Sequence, residues 1–96
     1  MDVADLLQNK LHEVLRITAC YGAHNVRVFG SVARGEAGPD SDLDLLVELG
    51  PDRSLFDLIS IQQELEDLLG RRVHVLTEAA VSPYMRDGVL KDAIAL

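Results

Sequence analysis

Ninety-six residues, 48% of them hydrophobic and only 4% aromatic, describe one small domain with a core of Leu, Val, Ile and Ala. A formal net charge of −7 argues against non-specific nucleic-acid binding, which needs Lys and Arg to neutralise phosphates; it suits a basic protein partner or a metal–nucleotide ligand held by carboxylates. The single cysteine, Cys20, excludes an internal disulfide, and no apolar run is long enough to cross a bilayer, so the expectation is a soluble, cytoplasmic protein with no direct nucleic-acid or membrane partner.

Val3, Leu7, Leu11, Val14 and Thr18 recur at helical spacing, with Leu6 and Leu15 beside them, and predict one helix over residues 3–21 ended by Gly22. Asp2 and Asp5 sit where a helix dipole favours negative charge, and Cys20 is expected as a small buried residue. His12 and His24 have no partner at ligand spacing and read as surface residues. Residues 25–29 are short, β-branched and bounded by turn residues, which predicts a strand ended by Gly30. Residues 32–36 fit one helical turn capped by Ser31, and residues 37–41 carry the Gly, Pro and Asp of a loop. A second strand follows over residues 43–49.

Ser54, with Asp57 three residues on, announces a helix whose Leu55, Leu58, Ile61, Leu65 and Leu68 or Leu69 face inward, stopped by Gly70. Its acidic run reads as a solvated face. Residues 71–77 predict a third strand, and Ser82-Pro83 opens a last helix carrying Tyr84, Met85, Val89, Leu90, Ala93 and Ile94. The expected fold class is α/β (α+β), a small mixed three-stranded sheet with helices packed on it, in the order α-β-(short α)-β-α-β-α. The helix between the second and third strands makes those two parallel, whereas returning Ser31 to the side of Asp42 makes the first two antiparallel.

The chemistry concentrates between residues 26 and 47. Asp42 and Asp44 lie two apart on a strand, ~6.6 Å along it, and so share a face on which they can converge on magnesium. Gly30 lets a triphosphate approach the backbone, Ser31 adds a hydroxyl, and Arg34 is the nearest cation, able either to neutralise a phosphate or to pair with Glu36, Asp40 or Asp42. The Walker-type phosphate loop and the dinucleotide fingerprint are both absent.

Gly30-Ser31, ten residues, then Asp42-x-Asp44 resembles the signature of the DNA polymerase β-like nucleotidyltransferase superfamily. Ala33-Arg34-Gly35 and the run from Pro39 to Val47 look like its minimal nucleotidyltransferase branch, and the resemblance covers nearly the whole chain. It implies a polymerase β-like fold and similarity to antitoxins that transfer AMP from ATP to a tyrosine of a HEPN-domain RNase toxin. It further implies that Gly30 and Ser31 hold the triphosphate while Asp42 and Asp44 bind Mg2+ and carry catalysis. The implied partners are a HEPN-domain toxin and a nucleoside triphosphate.

The superfamily usually places a third carboxylate on the next strand. Here that position reads Val73-His74-Val75-Leu76, with His74 in its place; Glu48 and Glu78 lie too far along their strands to substitute. Three roles stay open for this arrangement. His74 is the general base, as an imidazole can be near neutral pH; or the two aspartates suffice; or the chain is a binding antitoxin without turnover.

Overall fold

The structure is a computed structural model that describes residues 2–96. The leading helical stretch is broken into α1 (Val3–Asn9) and α2 (Leu11–Cys20), where one helix was expected. Lys10 is the break: with φ −115° and ψ 18° it closes the first helix and opens the second. The Asp2 side chain caps α1 by accepting the Asp5 N–H at 2.9 Å. Cys20 is exposed, not buried, because the face of α2 turned to the core is Val14, Ile17 and Thr18.

Strand β1 spans Ala23–Phe29 and β2 spans Leu43–Leu49; α3 is Leu55–Leu69, β3 is Val73–Leu76, a 3-10 turn covers Glu78–Ala80, α4 is Pro83–Asp92 and β4 is Ile94–Ala95. The sheet order is β3-β2-β1-β4, with β2 and β3 parallel and β1 antiparallel to both its neighbours. The sheet thus has four strands, one more than the pattern predicted. The added β4 is two exposed residues that exist by pairing Ile94 and Ala95 with Val28 and Arg27 on the edge of β1. Ile94 was expected in the last helix, but α4 ends when Ala93 turns extended. Residues 32–36 form irregular turns without becoming a helix: Arg34 N–H bonds Gly30, Gly35 N–H bonds Val32 and Glu36 N–H bonds Ser31, three different loop sizes in succession.

The sheet separates two apolar layers. Leu43, Leu45 and Val47 of β2 and Val73 and Val75 of β3 pack with Val14, Ile17, Leu58, Ile61, Leu65 and Leu69 of the helices on one side. Phe29 and Leu46 point the other way and meet Val81 and Val89 beneath α4. Strand alternation gives this division on β2 and β3 directly. On β1 it needs a correction, supplied by a bulge between His24 and Arg27 with Asn25 at φ +48°. The extra residue lets Val26 and Val28 return to the face that Ala23 occupies, and leaves Phe29 and the following Gly30 on the other side.

α3 begins with a complete capping box between Ser54 and Asp57 and ends on Gly70 at φ +63°. Its buried stripe is Leu58, Ile61, Leu65 and Leu69; Leu55, expected inside, lies in the first turn and is exposed. No helix among the described residues is long and apolar enough to cross a membrane.

Candidate active site

The face of the sheet turned to α4 carries the chemistry. In the parallel β2–β3 pair Asp44 lies opposite His74, and in the antiparallel β1–β2 pair it lies opposite Phe29. Gly30 therefore follows directly beside Asp44, and Asp42 enters the same space one residue before β2 begins. Gly30, Ser31, Arg34, Asp42, Asp44 and His74, named above from sequence alone, all line one cleft of about 750 Å³.

Gly30 is required here twice over. Its φ of +75° belongs to the region that side-chain-bearing residues avoid, and a Cβ would stand 2.5 Å from Oδ2 of Asp44. The loop after it makes its first internal bond from the Arg34 N–H to the Gly30 carbonyl, and Ser31, inside that loop, lines the cleft.

His74 Nε2 lies 3.1 Å from Oδ2 of Asp42, with both side chains a little under half exposed. The imidazole thus sits among the carboxylates instead of pointing away from them. Burial raises the pKa of Asp44 above the ordinary carboxylate value, and the like charge of Asp42 adds to this; His74 and Arg34 pull in the opposite direction. The two glutamates considered as substitutes for a third carboxylate are held elsewhere. Glu48 faces His24 at 3.7 Å and Glu78 pairs with Arg27 at 2.9 Å.

Arg34 is held by two acids: Nε lies 3.1 Å from Glu36 and Nη1 lies 3.1 Å from Asp92 at the end of α4. Of the partners expected from sequence, Glu36 is found; Asp92 takes the place of Asp40 and Asp42. α4 supplies the opposite wall, with Met85, Gly88, Val89 and Asp92 lining the cleft at spacings of three, four and seven. Sequence reasoning placed none of these four in the site. The available signal was Gly88, a helix-weakening residue inside an otherwise regular stripe.

The donor set bears on what the carboxylates can hold. Among the described residues no three His, Cys, Asp or Glu side chains form a metal cage. A pair of carboxylates at the mouth of an open cleft suits magnesium, which keeps several waters and is shared with substrate phosphates.

The family model for the nucleotidyltransferase domain matches residues 15–96. A candidate protein adenylyltransferase of Methanocaldococcus jannaschii is 39% identical over 85% of this chain and 88% of its own length. A solved structure of a candidate minimal nucleotidyltransferase is similar at 48% identity with a TM-score of 0.86, covering 100% of this chain and 97% of the other. A crystal structure of a toxin–antitoxin with AMP-PNP shares the fold, with a TM-score of 0.74 at 16% identity over 88% of this chain and 69% of that one. With a family model matched over most of its length and a relative aligned nearly end to end, this chain belongs to the nucleotidyltransferase domain family, in its minimal nucleotidyltransferase branch.

Proposed function

We propose that this nucleotidyltransferase transfers AMP from ATP, with magnesium, to a tyrosine hydroxyl on a toxin partner of the HEPN RNase type, and so acts as its antitoxin. The observation that carries the reading is the convergence of Gly30, Ser31, Asp42, Asp44 and His74 on one cleft. The adenylyltransferase name of the M. jannaschii relative supports AMP as the transferred group, and the toxin–antitoxin structure supports the partner.

In this reading Gly30 and Ser31 receive the triphosphate, the Ser31 hydroxyl donating to a phosphate oxygen, and Arg34 offsets its charge. Asp42 and Asp44 hold magnesium, which when bound supplies charge neutralisation to the triphosphate. His74 takes the proton of the acceptor hydroxyl as that oxygen bonds the α-phosphorus. The bond from the α-phosphorus to the bridging oxygen breaks, and pyrophosphate leaves.

The test incubates the chain with ATP radiolabelled at the α-phosphate, magnesium and a candidate toxin partner of the HEPN type. Label is expected on the partner, reduced at least ~10³-fold by Asp42→Ala combined with Asp44→Ala. Equal labelling by that double variant, or none by the wild type, overturns the proposal. His74→Ala is expected to lose ~10²-fold while His74→Asp, which restores a carboxylate, stays within ~10-fold of wild type. If the double variant still silences the toxin fully, silencing proceeds by binding alone.

A further inference from the structure

Gly88 has no role in the fold. It is a helical residue of α4 without the positive φ that explains Gly22, Gly30, Gly35 and Gly70, so its backbone conformation is one any residue adopts. A Cβ built on it meets no atom within 4 Å, so no neighbour requires it to be small. Glycine nevertheless weakens a helix at that position. What its missing side chain does is widen the cleft, because Gly88 lines the same cavity as the paired aspartates.

The surfaces around it are of one kind. Met85, one turn before Gly88, contributes a thioether, while Val89 beside it packs in one cluster with Phe29 and with Leu76, two residues beyond His74 on the same face of β3, to give the cleft an apolar floor. The charged groups gather toward the opposite end, where Asp92 on the last turn of α4 meets Arg34 of the Gly30 loop. Along the helix axis Gly88 lies ~6 Å and Met85 ~10 Å from Asp92. The cleft thus grades from a charged end into an apolar slot, one wall of which is bare peptide.

A nucleoside triphosphate has the same grading. Resting on the function proposed above, we infer that the slot between α4 and the end of β3 takes the nucleobase, its ring lying against the Gly88 peptide with Met85 at its edge. Gly88 is then a specificity-determining residue, its missing side chain leaving the room that the ring takes. Thioether–aromatic contact and stacking on a flat backbone surface hold the base.

The experiment compares equilibrium binding of ATP and of inorganic tripolyphosphate, both with magnesium, to the wild type, Gly88→Ala, Gly88→Leu and Met85→Ala, alongside thermal unfolding. Wild type is expected to bind ATP more tightly than tripolyphosphate. Gly88→Leu is expected to weaken ATP at least tenfold, to leave tripolyphosphate within twofold and to unfold no lower than wild type. Gly88→Ala and Met85→Ala give smaller losses confined to ATP. Unchanged ATP binding by Gly88→Leu overturns the base slot while leaving the proposed function standing. Equal loss of both ligands overturns it too, because the effect is then not on the base. Failure of the wild type to bind either ligand removes the proposed function and the slot together.

Discussion

Among the described residues, sixteen buried side chains fill the layer between α1, α2, α3 and one face of the sheet, whereas four fill the layer beneath α4 on the other. Asp44 projects from the first kind of surroundings into the second: its strand neighbours Leu43 and Leu45 are fully buried, while its own side chain faces the cleft. α4 buries only Val89 and leaves Tyr84, Met85 and Leu90 exposed. The carboxylates are therefore fixed to a part of the molecule that packing determines closely, and the wall facing them is attached by few contacts. A site built this way carries its charged groups on the densely packed layer and its apolar wall on the sparsely packed one.

Substitutions separate these two regions. Leu45→Ala, in the dense layer, is expected to cost about 3 kcal/mol and lower Tm by roughly 15 °C, read by thermal unfolding. Gly30→Ala is expected to cost about 2 kcal/mol for the left-handed backbone, and to lose transfer as well because the new methyl displaces the Asp44 carboxylate. Val89→Ala is expected to cost about 1.5 kcal/mol, with the loss of amide protection in hydrogen exchange confined to α4. If Val89→Ala instead lowers protection throughout the sheet, the two layers are one cooperative unit and the contrast fails.

Asp44→Asn probes the junction. The Asp44 pKa is raised, so the folded state holds this proton more firmly than the unfolded chain does, and the carboxylate's destabilising effect grows as pH rises through the raised value. The variant is expected to lose transfer but to unfold at a higher temperature than wild type at pH 7, with the difference vanishing below the ordinary carboxylate pKa. A lower Tm at pH 7 contradicts this. Asp92→Asn is expected to have the smallest effect: releasing Arg34 from one of its two acids tightens ATP binding about twofold, measured by titration.

What was legible in the sequence divides along the same line. The strand–turn–strand with Gly30, Ser31, Asp42 and Asp44 is a local pattern of alternation and turn chemistry, and the buried leucines between the acids set its register. His74 was named because it stands where the resemblance places a third carboxylate, and the parallel pairing of β3 with β2 sets it opposite Asp44. The other wall was not found, because Met85, Gly88, Val89 and Asp92 become cleft residues only through where α4 lands. The break at Lys10, the exposed Leu55 and the two-residue β4 were missed for the same kind of reason: neighbours distant in sequence decide them.

The bulge at Asn25 has a consequence for how this chain tolerates length changes. Asn25 is an exposed polar residue with none of its side chain in the core, the sort of position where a deletion looks harmless. Removing it would restore strict alternation along β1 and rotate every residue after it by one face. Val26 and Val28 would trade sides with Arg27 and Phe29, and Gly30 would leave the space beside Asp44. A single-residue deletion at a solvent-facing asparagine should therefore be as damaging as a core substitution, whereas replacing Asn25 by glycine, which accepts the same backbone, should pass almost unnoticed.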